Sequence, residues 1–440
     1  FFIIITTPVK SQNGVNSPYS RYGFGMMTDR ALGFNKAMGG VSQGFRAGQE
    51  INVMNPASYS SVDSLTALID FGMSLSNGNY KMNGIQKNVQ NTSIDYFAFQ
   101  FRAFKNLGMS FGILPYTNIN YNFSSSGETI TGTENLTSSY KFEGNGGLHQ
   151  VYFGAGWKLP KTPLSLGINI SYIYGNYAHT ATTSFNESSA YSMVRGYSAD
   201  ISTWKLDGGL QYEFNINKTN SLTFGATASL GHSVNNKAIR NTETITSSSN
   251  SSVVQGITSD TLHNAFELPF SIDMGLTYRH SNRWRLGADF GIEKWSKCKF
   301  PIQNDKIEKY ISSDGALNDR IHFGVGYDIT PNIQSSKLIN RITYKIGGYY
   351  SRTYANTDFS GTLKDKPYEY SLSAGITIPI IRRNLLYNSP RLNIGLHWVH
   401  SNIPYINTSN LNKESLKENY LKLSIGLTFS EVWFYKWRVQ

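Results

Sequence analysis

This chain of 440 residues has little charge, a single cysteine and no long apolar run. Charged residues make up 16% of the chain, whereas a soluble domain carries about a quarter. Cys298 has no second cysteine to pair with, which excludes an intramolecular disulfide and favours a structural thiol. The sequence also lacks the run of about 18 apolar residues that a transmembrane helix needs. A charge-rich soluble domain, a disulfide scaffold and a helical membrane protein are therefore excluded.

What the chain does have is a repeated alternation of apolar with small or polar residues, interrupted by turn residues. In the segment 421–429 every odd position is apolar and every even position is charged, small or hydroxylated. Successive side chains of a strand point to opposite faces, so such a segment has one apolar and one polar face. The polar face is rich in Gly, Asp, Asn, Arg and Ser, which suits a hydrated or plugged lumen better than a dry core.

The alternation predicts about fourteen strands, an even number as bacterial single-chain barrels require. They are expected at roughly 64–80, 91–105, 107–123, 147–158, 163–178, 196–214, 220–236, 264–280, 283–297, 318–329, 337–354, 366–380, 390–402 and 419–431. The predicted fold class is all-β, a transmembrane antiparallel β-barrel of about 14 strands in the bacterial outer membrane. A soluble sandwich or propeller is the alternative, but its strands are usually shorter and no blade-length repeat is present.

The first 63 residues differ in character from the rest. Five apolar residues followed by Thr6, Thr7 and Pro8 predict that 1–12 is the remnant of a signal peptide, with an apolar strand as the alternative. Residues 13–63 are rich in glycine and lack sustained alternation. Because a barrel of about fourteen strands has a lumen too wide for side chains alone to fill, we expect 13–63 to form an N-terminal plug. Residues 64–440 are then the barrel.

The basic residues do not indicate nucleic-acid binding, although the net charge is +11. They do not cluster, and the densest spots are Arg382–Arg383 and the aromatic-basic ending 433–438, which suit anchoring at the level of the lipid headgroups. Four polar segments, 124–145, 180–195, 234–260 and 303–318, are expected to be outward-facing loops. The part 242–252 is expected to be mobile unless a partner covers it.

No motif predicts catalysis or a cofactor. Ser110 lies in a G-x-S-x-G match, but that motif needs a strand-to-helix turn and Ser110 falls inside an alternating strand. Asp273 and Asp289 are predicted to point into the lumen from adjacent strands, where carboxylates are solvated or paired. No spacing of metal ligands and no phosphate-binding loop is present. We therefore expect no enzyme activity, no metal and no cofactor.

The N-terminal segment resembles the hatch of the FadL-like outer-membrane transporters. The resemblance rests on a Gly-rich stretch with the pair Gly39–Gly40, closed by Asn55-Pro56-Ala57 just before the first strand. It implies passive uptake of hydrophobic molecules such as fatty acids or aromatics, which leave sideways through a kink in the third strand. Pro115 lies in that strand and cannot donate a ladder hydrogen bond, so it either marks a lateral opening or lies beyond the membrane. The candidate plug and gate residues are Gly39, Gly40, Asn55, Pro56, Ala57 and Pro115.

Other parts of the chain resemble a divergent branch of the same family found in Bacteroidota. The opening 17–25 and the basic-aromatic ending carry that resemblance. It implies the alternative function of a non-conducting subunit in an outer-membrane secretion or assembly machine. The expected partners are therefore outer-membrane lipid, a hydrophobic small molecule, or other outer-membrane or periplasmic proteins. An exposed apolar stripe beyond the membrane, or a plug packed without a cavity, would favour the machine subunit.

Overall fold

A computed structural model describes most of the chain. The described residues are 17–82, 85–130, 136–187, 190–248, 251–304, 309–357, 365–380, 390–406 and 413–432. The predictions for the signal-peptide remnant 1–12, for Arg382–Arg383 and for the ending 433–438 lie outside them.

The described residues are almost entirely β-strand, as the alternation predicts. The strands are β1 (Met26–Met27), β2 (Thr66–Met82), β3 (Ile85–Phe104), β4 (Leu107–Ile130), β5 (Leu136–Lys158), β6 (Leu164–Phe185), β7 (Ser192–Asn215), β8 (Asn220–Ser229), β9 (His232–Val234), β10 (Lys237–Ser248), β11 (Ser251–His263), β12 (Phe266–Leu268), β13 (Ser271–His280), β14 (Trp284–Glu293), β15 (Phe300–Asn304), β16 (Lys309–Ser313), β17 (Arg320–Ile329), β18 (Thr343–Arg352), β19 (Tyr368–Pro379), β20 (Arg391–Ile406) and β21 (Lys413–Val432). Short 3₁₀ helices occur at Pro18–Arg21, Lys36–Met38, Pro56–Ser61 and Trp295–Lys297, and one α-helical turn at Leu338–Arg341.

Fourteen of these strands close into an antiparallel barrel, which confirms the predicted fold class. They are β2–β8, β13, β14 and β17–β21, and the barrel closes where β2 pairs with β21 along sixteen residue pairs from Thr66↔Val432 to Lys81↔Lys417. Apolar side chains such as Ile170 on β6, Met274 on β13 and Leu396 on β20 point outward and are exposed. They form the belt that faces lipid. No helix among the described residues is long and apolar enough to cross a membrane.

The two ends of the barrel are built differently. At one end β3–β4, β5–β6, β7–β8 and β13–β14 are joined by short turns, which identifies the periplasmic side. At the extracellular end β4 to β7 continue well beyond the belt, and β10 pairs with the end of β7 from Ala238↔Ala199 to Ile245↔Ser192. The hairpin β10–β11, the pair β9–β12 and the hairpin β15–β16 complete this end.

The prediction of four outward-facing polar loops was therefore wrong in its secondary structure. Most of 124–145, 180–195 and 234–260 is strand, and 242–248 belongs to a regular hairpin rather than a mobile loop. The reason is physical: where both faces of a strand meet water, apolar alternation disappears, although cross-strand pairs of Ser and Thr still support the ladder. The strand expected at 220–236 also breaks after Ser229, and the one expected at 264–280 breaks at Pro269.

Residues Ser17–Asp63, called here the N-terminal segment, run through the lumen. Phe24 lies in the core of the extracellular end. The 3₁₀ turn Lys36–Met38 contacts β17 to β20 in the middle, and the helix Pro56–Ser61 packs against β4 to β7 near the periplasmic end. Most side chains between Ala31 and Ser60 are buried. The segment therefore fills much of the space that fourteen strands enclose.

Candidate functional site

The ladder between β3 and β4 is broken on the extracellular side. These strands pair from Phe104↔Leu107 only as far as Phe97↔Ile113. Beyond that point, among the described residues, β3 pairs only with β2, and β4 only with β5 and β1. Pro115 lies just past the last pair, at a register shift between Pro115 and Thr117. The gap between the two strands, called here the seam, opens at the upper edge of the lipid-facing belt, where Ile94 is 70% exposed.

The N-terminal segment covers the β4 side of the seam. Strand β1 pairs with β4 through Met26↔Asn118 and Met27↔Thr117. The Thr28 hydroxyl donates to the Pro115 carbonyl at 2.6 Å, and the Ser17 amide donates to the Asn120 carbonyl at 3.0 Å. An unpaired strand edge is costly to leave bare in a membrane. The segment therefore satisfies the β4 edge that the broken ladder exposes.

Behind the seam lies a cavity of about 620 Å³ between the N-terminal segment and the barrel wall. Gly39, Gly40 and Pro115 line it, as do Met26 and Met27 of β1. Gly39 and Gly40 have φ angles of 65° and 74°, a left-handed turn that favours glycine. A Cβ on Gly39 would overlap the backbone of Gly348 on β18, so a glycine is also needed for close approach to the wall. Three of the six predicted residues thus share this cavity.

The cavity lining mixes charged side chains with apolar ones such as Met26, Met27 and Ile94. The lining includes four carboxylates and three cations: Asp29, Asp95, Asp289, Glu369, Arg30, Arg320 and Lys422. The buried Lys36 pairs with Asp95, and burial lowers the pKa of Lys36, assisted by Lys422 and opposed by Asp95. Charges of both signs favour water or a polar group over hydrocarbon. Within the described ranges no group of His, Cys, Asp and Glu suits a metal ion.

The predicted residues Asn55, Pro56 and Ala57 lie elsewhere, at a structural contact near the periplasmic end. The Asn55 side chain accepts from the Ala57 amide at 3.1 Å and caps the helix that Pro56 begins. Its amide group donates to the Gln43 carbonyl at 2.9 Å and to the Leu210 carbonyl of β7 at 3.1 Å. This motif fixes the segment to the barrel wall and does not reach the cavity.

Ion pairs hold the segment at the periplasmic mouth. Glu50 pairs with Arg285 of β14 at 2.7 Å and with Arg391 of β20 at 3.6 Å. Arg285 also pairs with Asp328 of β17 at 2.5 Å. Burial alone would raise the pKa of Glu50, but Arg285, Lys345 and Arg391 outweigh it and lower that pKa to about 2. Glu50 is therefore ionised at neutral pH and ties the segment to two strands, β14 and β20.

Aromatic packing closes the extracellular end. The Phe24 ring lies 5.1 Å from Phe266, 5.3 Å from Phe300 and 5.9 Å from Trp295, measured between ring centroids. The Tyr354 ring packs in a tilted arrangement against Trp295, with 4.7 Å between ring centroids, and its hydroxyl donates to the Gly25 carbonyl. The N-terminal segment is thus part of the apolar core that covers the lumen from outside.

Several residues of the site were not predicted from the sequence. Asp95 and Lys422 face the lumen from polar positions of strands that were predicted, so the alternation already indicated their direction. No sequence pattern indicated Thr28 or Glu50, because each binds a barrel residue that lies more than eighty positions away in the chain. Asp273 and Asp289 do face the lumen; Asp289 accepts from the Ser42 and Gln43 amides.

A closed fourteen-stranded barrel with an N-terminal segment in its lumen and a broken third-strand ladder defines a FadL-like outer-membrane barrel. Solved structures of this fold include the toluene transporter TodX of Pseudomonas putida, at 13% identity over 92% of this chain and 98% of that chain, with a TM-score of 0.58. A FadL homologue of Pseudomonas aeruginosa matches at 11% identity over 93% and 100%, with a TM-score of 0.60. The monoaromatic hydrocarbon channel CymD matches at 14% identity over 91% and 97%, with a TM-score of 0.55.

The chain belongs to the BamG family, whose model matches residues 1–440. No curated protein sequence matches it. The similarity to the solved channels establishes the fold, as the resemblance predicted.

Proposed function

We propose that this protein is a barrel subunit of an outer-membrane protein assembly, with both ends of its lumen closed, and that it binds a partner at its extracellular end. The observation that carries the proposal is the hairpin β10–β11, called here the ribbon. Seven consecutive residues of β11, Val253–Ser259, are exposed. Val253, Val254 and Ile257 among them are 50%, 46% and 66% exposed.

The ribbon stands outside the membrane. The row of lipid-facing side chains on β7 ends at Trp204. Asp200, four residues closer to the extracellular end of the strand, is exposed and charged. Ser192 of β7, which pairs with Ile245 of the ribbon, lies roughly 40 Å beyond Trp204 at about 3.3 Å per residue. Lipid therefore cannot cover the three aliphatic side chains.

The free edge of β11 has none of the features that normally protect an edge strand. Among the described residues β11 pairs only with β10. The segment 251–259 has no charged residue and no proline, whereas edges that stay free usually carry them. Such an edge is suited to accept a strand from another protein, with backbone hydrogen bonds for affinity and the aliphatic side chains for specificity.

A second copy of this chain does not fit that edge. Two copies in one membrane are related by an axis along the membrane normal, which would set the two β11 strands parallel. Self-complementary pairing of one edge with itself requires antiparallel strands. The occupant we propose is therefore an uncharged, extended segment of a different protein.

The charged part of the cavity lining supports the same proposal, because it disfavours uptake of a wholly apolar solute. A hydrocarbon placed beside Asp29, Arg30 and Lys422 would desolvate these ionised groups without replacing their water. Both ends of the lumen are also closed, by aromatic packing outside and by ion pairs inside. A closed barrel with a polar interior is suited to a structural role in an assembly.

The experiment is affinity purification from native membranes in mild detergent, followed by mass spectrometry of proteins and small molecules. We expect stoichiometric protein partners with the wild-type chain and their loss with Val254→Glu/Ile257→Lys. Asn241→Lys, which changes an exposed polar residue on the other strand of the ribbon, is the control and should keep them. A lone barrel that carries an apolar molecule would refute the proposal.

A second candidate function is uptake of a small amphiphile through the seam, because the broken ladder gives it a route. Ile94 and Pro115 at the seam also line the cavity, so the opening and the cavity are continuous. An amphiphile could place its tail between Met26, Met27 and Ile94 and its polar head farther inside. Met27→Cys/Thr117→Cys in a Cys298→Ser background would lock β1 to β4 through directly paired positions. Uptake of a labelled fatty acid that oxidation abolishes and reduction restores would support this function; uptake that oxidation leaves unchanged would exclude the seam.

A further inference from the structure

The periplasmic turns that the structure describes in full carry basic residues and no acidic ones. There are five of them: 105–106, 159–163, 216–219, 281–283 and 330–342. Together they contain six basic residues and no carboxylate: Lys105, Lys161, Lys218, Arg283, Lys337 and Arg341. Six cations are more than half of the net charge of +11. These residues are called here the basic ring.

The cations of the basic ring have no acidic partner. None of the six forms an ion pair within the described part of the chain, and Arg341 Nε is buried without a hydrogen-bond acceptor. Two carboxylates at this end, Glu213 and Asp328, are already paired with Arg279 and Arg285, and the exposed Glu431 forms no ion pair with the ring among the described residues. The charge of the ring is therefore available to an outside ligand.

Three of the five turns place a cation beside an exposed apolar side chain. Phe104, 72% exposed, precedes Lys105, and Ile216 lies two residues before Lys218. Leu338 and Ile339 are exposed between Lys337 and Arg341. An apolar group next to a cation is the arrangement that places hydrocarbon at the acyl boundary and charge at the level of the headgroups.

We propose that the basic ring binds the phosphate groups of anionic phospholipids in the periplasmic leaflet of the outer membrane. The five turns join β3 to β4, β5 to β6, β7 to β8, β13 to β14 and β17 to β18, so they lie around most of the barrel's circumference. A protein partner contacts one sector of a rim, whereas the lipid leaflet surrounds all of it. The distribution of the charge therefore favours lipid over an acidic protein.

The ring would hold the barrel at a defined depth. The aliphatic and aromatic residues of the turns set a lower limit to the apolar belt, and the cations just beyond them bind phosphate. Because the attraction is electrostatic and five of the six cations are exposed, the binding of lipid should weaken steeply in high salt.

The test is native mass spectrometry of the purified barrel in mild detergent with equal amounts of phosphatidylglycerol and phosphatidylcholine. We expect the wild-type chain to retain phosphatidylglycerol in roughly ten-fold excess, since each Lys or Arg near an anionic surface contributes measurably. The variant with all six ring residues changed to Gln should retain the two lipids equally. The control changes six exposed lysines of the extracellular end to Gln, namely Lys81, Lys87, Lys141, Lys237, Lys413 and Lys417, and should keep the preference.

A smaller variant, Lys105→Gln/Lys161→Gln/Lys218→Gln, keeps the test decisive if the full variant does not fold, and we expect it to lose about half of the excess. Folding of every variant is checked by the heat-dependent shift in gel mobility typical of barrels. No preference in the wild-type chain would refute the proposal. The proposal would also be refuted if the extracellular control lost the preference for phosphatidylglycerol to the same extent. It would be refuted as well if the ring bound an acidic periplasmic protein and showed no preference between the two lipids.

Discussion

The extracellular and periplasmic ends of this barrel are closed by different forces. Outside, Phe24 of the N-terminal segment is packed among the rings of Phe266, Trp295 and Phe300. At the periplasmic end the same segment is held by the carboxylate of Glu50 between Arg285 and Arg391. Apolar packing is insensitive to salt and pH, whereas ion pairs respond to both. The segment is therefore anchored permanently at one end and conditionally at the other.

The surface charges of the two ends differ in the same way. Several extracellular cations have acidic partners, as in the pairs Lys141–Glu143, Lys294–Asp319 and Lys299–Glu267. The cations of the basic ring have none in the described ranges. Self-paired charges keep a surface soluble and neutral, while unpaired charges of one sign attract a ligand of the other sign. The difference suggests that the periplasmic rim has a charged partner and that the extracellular surface binds through its apolar ribbon.

The largest expected effect is at the aromatic closure. Phe24→Ala removes a fully buried ring and should destabilise the extracellular end by roughly 3–5 kcal/mol, the usual cost of such a truncation. Hydrogen exchange of the amides in β12 and β15 measures this local opening. Phe104→Ala, at an exposed position, is the control and should leave that exchange unchanged. Equal protection in Phe24→Ala and in the wild-type chain would mean that the segment does not support the closure.

Removing the periplasmic ion pairs should have a smaller effect. Glu50→Gln leaves Arg391 without its carboxylate, while Arg285 keeps Asp328. We expect a loss of about 1–3 kcal/mol in the free energy of unfolding, measured by urea titration of the barrel in detergent micelles. Raising the salt concentration should narrow the difference between wild type and variant. Glu431→Gln changes an exposed carboxylate at the same end and should cost little.

These two closures also show what could be predicted from the sequence. The alternation located all fourteen barrel strands, because lipid on one face and lumen on the other impose a period of two on each. The position of the N-terminal segment followed from the size of the lumen and from the resemblance. Neither closure could be predicted: Glu50 meets Arg285 across 235 positions, and Phe24 meets Phe266 across more than 240.

The parts of the strands that extend beyond the membrane were not predicted, for a related reason. Residues such as Thr242, Thr244 and Thr246 of β10 have water on both sides of the ribbon, so nothing in their order distinguishes a strand from a loop. The charges that line the cavity could not be predicted, because they depend on which lumen-facing side chains the N-terminal segment leaves uncovered. Only the folded chain shows that Asp29, Arg30 and Lys422 meet there.

The pH dependence of the periplasmic closure sharpens the contrast between the ends. The pKa of Glu50 is about 2 in the folded barrel against an ordinary value of 4.5. A lowered pKa in the folded state adds stability that is fully present above the ordinary value and is lost as pH falls from about 4.5 to about 2. The difference in unfolding free energy between the wild-type chain and Glu50→Gln should therefore shrink between pH 7 and pH 3. The effect of Phe24→Ala should not change over that range; a parallel change in both would show that acid acts elsewhere in the barrel.

The smallest effects concern single surface cations, and they separate paired charges from unpaired ones. Lys294→Gln removes an exposed ion pair with Asp319 and should alter stability by no more than about 0.5 kcal/mol in any lipid. Lys105→Gln removes a cation of the basic ring and should likewise alter nothing in neutral detergent. In micelles that contain phosphatidylglycerol, however, Lys105→Gln should lower the midpoint of thermal unfolding by a degree or two. This corresponds to a loss on the order of 0.5–1 kcal/mol in the free energy of unfolding. If the anionic lipid changes the thermal midpoints of Lys294→Gln and Lys105→Gln equally, then the lack of an acidic partner for Lys105 does not affect lipid binding. If only Lys105→Gln responds, the absence of a partner within the chain is what leaves this charge free for the lipid.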